Sequence, residues 1–164
     1  MTATNMMLHI EGDIADNSVI ADAIALRLTD SLAYSKNKNR SRIVAIEINN
    51  TQLTSLQYSV CNIFQDSSKN EEISLVKQAL LVDHVRTLTV NNNLKLLYID
   101  NSINALTNLK YLDFSRNEIQ TIASVINLPN LIGLNLSYNK LTSLDFLQFL
   151  ISLQWLLVSN NNIS

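Results

Sequence analysis

The sequence predicts an α/β fold, a short right-handed solenoid whose parallel strands form a concave sheet. The chain has 164 residues, of which 47% are hydrophobic and 16% charged, so one domain with a substantial core is expected. A pattern of apolar residues recurs every 22 residues in the C-terminal half, and each copy has an asparagine at the same place. Since one such unit cannot cover its own apolar side, successive units must stack.

The repeat is clearest in three blocks that begin at Leu109, Leu131 and Leu153. They read LKYLDFSRNEI, LIGLNLSYNKL and LQWLLVSNNNI, with apolar residues at positions one, four, six and eleven and asparagine at position nine. A block from Val85 fits as far as position nine but has Lys95 at position eleven. A block from Ile43 fits with threonine in place of asparagine. The pattern therefore covers residues 43–164.

Each block combines a strand with a turn. Apolar residues at positions four and six alternate with polar ones, which predicts a short strand with one buried face. The chain then turns inward, where unpaired backbone groups would cost about 1–3 kcal/mol each unless a side-chain amide pairs with them. We expect such side chains to stack as a ladder, with Thr51 and Asp13 as poorer members. The predicted ladder is Thr51, Asn93, Asn117, Asn139 and Asn161.

These blocks resemble the leucine-rich repeat family. The phrases LTNLKYLDFSRNEI and LPNLIGLNLSYNKL are similar to the 22-residue class found in phosphatase-regulating repeat proteins and in bacterial internalins. The resemblance implies a protein-recognition role without catalysis. Internalins are exported, whereas the start of this chain has no basic segment followed by an apolar run. We therefore expect an intracellular protein, in the cytoplasm or alternatively the nucleus.

The N-terminal half has longer units with helical patterns. Apolar residues follow one stripe in residues 18–34 and again in residues 70–82. This part resembles the ribonuclease-inhibitor type of repeat, and a helical cap over the first repeat is the alternative. The expected organisation is a single domain over residues 1–164. It comprises a cap or long helical repeat (1–42), a long repeat with a helical insertion (43–84) and regular repeats, the last incomplete (85–164).

The C-terminal end has an apolar layer with nothing predicted to cover it. Leu156, Val158 and Ile163 form this layer, and the sequence stops one residue after the last block. We expect the chain to be a fragment of a longer protein, or else a partner or second copy to cover that end.

No motif for catalysis or ligand binding emerges. Phosphate-binding glycine loops, HExxH and CxxC are absent from the sequence. His9 and His84 have no companions at metal-ligand spacing, and Cys61 lies in an apolar stretch typical of a structural thiol. We therefore predict no enzymatic activity, no cofactor and no metal, and small-molecule binding is not indicated. Apolar runs are too short for a membrane span.

The candidate binding residues lie on the strands. Positions three, five and seven should point out of the concave face, and position eight should lie beside them at the turn. The late repeats carry aromatic residues and arginine there, types enriched at interaction hot spots. The predicted partner-binding residues are Tyr111, Asp113, Arg116, Asn135, Tyr138 and Trp155. For Trp155, burial under further repeats is an equal alternative.

The most favoured function is a protein-interaction scaffold or a targeting or regulatory module. One alternative is an RNA- or ribonucleoprotein-associated module that uses a short basic run. The net charge of −2 gives no broad attraction to nucleic acid, so this run would have to act locally. Its cations are Lys36, Lys38, Arg40 and Arg42. The other alternative is the repeat arm of a larger effector enzyme.

Overall fold

The computed structural model describes residues 4–12, 41–54, 84–123 and 126–164. Both helical patterns of the N-terminal half, at 18–34 and 70–82, lie outside these residues, so the predicted cap and helical insertion stay predictions. The strands in chain order are β1 (Thr4–Glu11), β2 (Ser41–Asn49), β3 (Thr87–Asn91), β4 (Tyr98–Ile99), β5 (Tyr111–Asp113), β6 (Thr121–Ile122), β7 (Gly133–Asn135) and β8 (Trp155–Leu157).

All of these strands except β4 and β6 form one parallel sheet. Its order is β1-β2-β3-β5-β7-β8, so each unit pairs with the next one along the chain. Equal block positions face each other, as Leu112 pairs with Leu88 on one side and Leu134 on the other. This architecture confirms the predicted solenoid with a parallel sheet.

The inner side of the sheet supplies the core. Residues at positions four and six are buried throughout β2, β3, β5 and β7, because strand alternation turns both toward the same face. Phe114, the largest of them, is fully buried. Positions one and eleven complete this cluster. Leu109 and Leu131 occupy position one, and Ile119 and Leu141 occupy position eleven.

Position eleven of the block that begins at Val85 is filled differently from its neighbours. Lys95 is exposed, and a turn at Leu94 and Lys95 places Leu96 in the core instead. The Leu96 N–H donates to the Asn93 carbonyl at 3.1 Å, which closes this turn. The unit spans 24 residues rather than 22, and part of the extra length is accommodated here.

The chain returns on the side opposite the main sheet through extended and 3₁₀ segments. Strands β4 and β6 pair in parallel, with Ile99 beside Ile122. Short 3₁₀ helices follow at Asn101–Ala105 and Asp145–Phe149. The N-cap of the first is Asp100, whose carboxylate accepts a hydrogen bond from the Ser102 N–H at 2.8 Å. The described backs of the C-terminal units are therefore extended or 3₁₀ segments.

The last unit is less buried than those before it. Leu156 and Val158 are half-buried, whereas the equivalent Leu134 and Leu136 are buried. Ile163 is 41% exposed, and β8 is the edge strand of the sheet. An apolar layer at this end therefore contacts solvent.

Candidate functional site

The side chains at positions three and five form the outward side of the main sheet, which we call the open face. Two rows cross it, one for each position, since register aligns equal positions in adjacent strands. The position-three row is Met7, Ala45, Thr87, Tyr111, Gly133 and Trp155. The position-five row is His9, Glu47, Thr89, Asp113, Asn135 and Leu157.

Two of the position-seven serines are less accessible than the sequence suggests. Ser115 and Ser137 are buried, whereas Ser159 in the last unit is exposed. The Ser115 N–H donates to Asp113 Oδ1 at 2.8 Å, and the Ser137 N–H donates to Asn135 Oδ1 at 3.1 Å. The side chains of Asp113 and Asn135 thus bond to the backbone at the start of each turn.

Two predicted binding residues, Tyr111 and Trp155, stack across the strand between them. Their ring centroids lie 6.4 Å apart and their planes differ by 22°. Gly133 occupies the same row between them, and a Cβ atom there would lie 1.9 Å from Trp155 Cζ2. The missing side chain of Gly133 thus makes the space in which the Trp155 ring lies. Both aromatic residues stay more than 40% exposed.

Asp113 and Asn135 have partners within the sheet. Asn135 Nδ2 donates to Asp113 Oδ2 at 3.2 Å, in addition to the two turn bonds described above. Both residues are half-buried. Their side chains therefore hold the ends of β5 and β7 and leave less hydrogen-bonding capacity for a partner than the sequence suggests.

Position eight has a positive φ angle in every described unit. The angle is 122° at Gly12, after β1, and lies between 55° and 59°, in the left-handed region, in the five units that follow. This turn lets the backbone keep pairing with the next unit, as the Arg116 N–H donates to the Ser137 carbonyl at 3.0 Å and the Tyr138 N–H to the Ser159 carbonyl at 2.8 Å. The five residues are Asn50, Asn92, Arg116, Tyr138 and Asn160.

Arg116 and Tyr138, both predicted binding residues, contact each other at adjacent position-eight turns. The Arg116 guanidinium carbon lies 4.7 Å from the centroid of the Tyr138 ring, within the range of a cation–π interaction. Both side chains are exposed. The 22-residue spacing could have predicted this contact, because it places Arg116 and Tyr138 at equal positions of adjacent units.

The position-nine side chains form a continuous ladder behind the open face. Asn117 Nδ2 donates to the carbonyls of Val90 in the preceding unit and Phe114 in its own, both at 2.7 Å. Asn139 repeats this with Phe114 and Leu136. Asn161 repeats it with Leu136 and Val158, both at 2.9 Å. Each amide thus ties two consecutive units together.

The N–H group that donates to each ladder amide oxygen changes along the chain. Asn93 Oδ1 accepts from the Thr51 N–H and hydroxyl, and Asn117 Oδ1 accepts from the Asn93 N–H at 2.8 Å. Asn139 and Asn161 instead accept from the position-eleven N–H groups of Ile119 and Leu141, both at 3.0 Å. The change coincides with the shift from longer units to 22-residue units. Asp13, the predicted weaker member, lies outside the described residues.

At the other end of the open face, His9 bridges two carboxylates. His9 Nδ1 lies 2.8 Å from Glu47 Oε2, and Nε2 lies 3.1 Å from Glu11 Oε2. Asn50 Nδ2 also donates to Glu11 Oε1 at 2.7 Å. The sequence pattern did not predict this cluster, although His9 and Glu47 share position five of their blocks.

The cluster shifts the pKa of two members. Hydrogen bonds with Glu11 and then Glu47 raise the pKa of His9 above its ordinary value of 6.5. Hydrogen bonds from His9 and then Asn50 lower the pKa of Glu11 below its ordinary value of 4.5. The His9 contribution to stability is complete below pH 6.5 and is lost as pH rises through the raised pKa. The Glu11 contribution is present above pH 4.5 and is lost as pH falls through the lowered pKa.

Several other residues singled out above lie beyond the described part of the chain. They are Cys61, Lys36, Lys38 and Arg40; Arg42 lies in β2, and His84 is half-buried. The RNA-binding alternative therefore stays a prediction. Among the described residues, no group of three or more histidine, cysteine or acidic side chains is arranged to hold a metal ion. No helix in the described ranges has the length and apolar character needed to cross a membrane.

Comparison with known proteins agrees with the fold. Residues 107–149 match the family model described as Leucine Rich repeats (2 copies). No curated protein matches the chain. The matched segment contains β5, β7 and the Asn117 and Asn139 steps of the ladder, and the same register and ladder extend to the units on both sides of it. Family match, parallel register and asparagine ladder together identify the chain as a leucine-rich repeat protein.

Proposed function

We propose that this protein is a non-catalytic recognition module that binds a protein partner on the late part of its open face and at the position-eight turns beside it. Leucine-rich repeats generally mediate protein–protein interaction. The scaffold, targeting or regulatory role expected from the sequence belongs to this proposal, as does an intracellular location. Tyr111, Arg116, Tyr138 and Trp155 are the contact residues, and Asp113 and Asn135 hold the strands that present them.

The observation that carries the proposal is the exposure of large side chains in the late units of the solenoid. Tyr111 is 41%, Trp155 43%, Tyr138 50% and Leu157 52% exposed. Tyrosine, tryptophan and arginine are enriched at binding hot spots, and the two aromatic types bury a large area while losing little conformational freedom. Stacking holds the Tyr111 and Trp155 rings near one orientation, which lowers the entropy lost on binding.

The test compares capture of partners by matched variants. The immobilised protein is incubated with an extract of its source cells, and recovered proteins are quantified by mass spectrometry. Trp155→Ala and Tyr138→Ala should lose the same partner, with affinity falling about thirtyfold for a hot-spot loss of about 2 kcal/mol. Tyr98→Ala is the control, because Tyr98 is 47% exposed but lies in β4, outside the open face.

The melting temperature of each variant separates binding from folding. We expect Tyr138→Ala and Tyr98→Ala to melt within a few degrees of the wild type. Equal capture by all variants would refute the proposal, and so would a loss of capture that follows the loss of folded protein.

A further inference from the structure

After β1, whose unit has Gly12 at position eight, the residues at this position separate into two chemical groups. Asparagine tolerates a positive φ better than other residues with a side chain, and it occupies this position in three of the five units that follow β1. Arg116 and Tyr138 occupy the other two, where their backbone conformation is unfavourable. Since unfavourable backbone conformations concentrate at functional sites, the identity of these two side chains points to a role outside folding.

Arg116 carries a positive charge that the described residues do not neutralise. Within the described ranges no carboxylate lies close enough to form an ion pair with its guanidinium. Two other cationic side chains near the sheet do have carboxylate partners: Lys140 pairs with Glu118, and His9 lies between Glu11 and Glu47. Asp113 accepts hydrogen bonds from the Ser115 N–H and the Asn135 amide.

The Tyr138 ring restricts the Arg116 guanidinium without using its hydrogen-bond donors. A guanidinium packed on an aromatic ring keeps its N–H groups available, and their planar arrangement matches a carboxylate. The pair Arg116–Tyr138 is therefore suited to receive a carboxylate from outside the chain.

The stacked pair Tyr111–Trp155 lies on the open face at position three, five positions earlier in the block than Arg116 and Tyr138. At about 3.3 Å per residue, the two pairs are separated by at most roughly 17 Å along the strand direction. In an extended peptide, side chains four residues apart are separated by about 13 Å and point to the same side. One partner segment can therefore contact both pairs.

We propose that the protein recognises an extended peptide segment of its partner that presents a carboxylate to Arg116 and an apolar side chain to Tyr111 and Trp155. This inference rests on the proposed function and specifies the chemistry of the partner. The carboxylate comes from an acidic side chain or from a chain terminus, since both offer the same two oxygen atoms.

The test uses two bead-bound libraries of random dodecapeptides. One library is attached through its N-terminus and presents a free terminal carboxylate, and the other is attached through its C-terminus. Selected peptides are then synthesised, and their affinities are measured from the emission of Trp155, which is the only tryptophan of the chain. Arg116→Gln removes the proposed charge. Lys140→Gln is the control, because it removes a positive charge from the adjacent turn and leaves Arg116 in place.

We expect selected peptides to carry an acidic residue or free terminus about four residues from an apolar one. Arg116→Gln should weaken their binding at least about tenfold, the usual effect of losing a charge-assisted hydrogen bond. Lys140→Gln should change it less than twofold. Replacing the peptide's glutamate by glutamine, or amidating its terminus, identifies which carboxylate is bound.

The outcomes that overturn this inference differ from those that overturn the proposed function. Peptides without a carboxylate that bind Arg116→Gln and wild type equally would refute the inference, and the proposed function would stand if Trp155→Ala still weakened them. Failure to select any peptide above the bare beads would count against both.

Discussion

Replacing Arg116 and Tyr138 together by asparagine should stabilise the protein, although the replacement removes the contact between the two side chains. The reason is the positive φ angle of both residues, 59° and 58°. Asparagine occupies the same turn in the units at Asn50, Asn92 and Asn160, so the substituted backbone needs no rearrangement.

The magnitude follows from two opposing effects. Relieving the left-handed conformation should gain about 1 kcal/mol at each position. The cation–π contact, which is exposed, should be worth about 0.5–1 kcal/mol and is lost as soon as either partner is replaced. Each single variant should therefore change the free energy of unfolding by less than about 0.5 kcal/mol, whereas the double variant should gain about 1–1.5 kcal/mol.

Urea unfolding of the wild type, both single variants and the double variant measures this cycle. The double variant should also melt about 3–5 °C higher, given the usual relation for a chain of this size. The reciprocal control is Asn92→Arg, which should destabilise by about 1 kcal/mol. A double variant that is less stable than the wild type, or an Asn92→Arg variant with unchanged stability, would show that the position-eight conformation is not the controlling effect.

Three further predictions concern other parts of the structure. Gly133→Ala should displace the Trp155 ring, because the added Cβ would overlap it. The free energy of unfolding should fall by about 1 kcal/mol as the stacking is lost, and a shift in Trp155 emission checks the displacement. Asn117→Ala should destabilise the protein by about 3 kcal/mol or more, because it leaves several buried backbone groups unpaired. Asn161→Ala should cost less, because Asn161 is half-buried. Unfolding curves that show the opposite order would contradict the stabilising role of the ladder. His9→Gln should flatten the fall in stability as the pH rises from 6.5 through the raised pKa of His9, because it removes the group that titrates there. Melting temperatures recorded from below pH 6.5 upward provide the measurement.

Much of the fold could be predicted because the repeat fixes both the length and the register of each unit. Once Leu112 and Leu134 are known to be 22 residues apart with the same flanking pattern, parallel pairing follows from stacking. The sequence pattern failed at Lys95, because a two-residue turn moves the core position to Leu96 and no periodicity encodes that turn.

The candidate site was only partly predictable, because its contacts depend on side-chain conformations. Position in the block predicted that Tyr111 and Trp155 would be on one face, but not that Trp155 would lie over Gly133. The block pattern also did not predict the burial of Ser115, whose N–H donates to the Asp113 side chain. The same local bonding explains why Asp113 is less available to a partner than its outward position suggested.

The change of donor to the ladder oxygens along the chain has a consequence for how this array can evolve. Units 109–130 and 131–152 have equal length, and their position-eleven N–H groups donate to the next asparagine in the same way. Duplication of 22 codons within this segment should therefore preserve this ladder bond at the new junction. The 24-residue unit before it donates from its position-nine N–H, as the unit of Thr51 does, so a junction between the two kinds of unit has to change donors. Gain or loss of whole units is thus expected more readily within the 22-residue segment than across its N-terminal border.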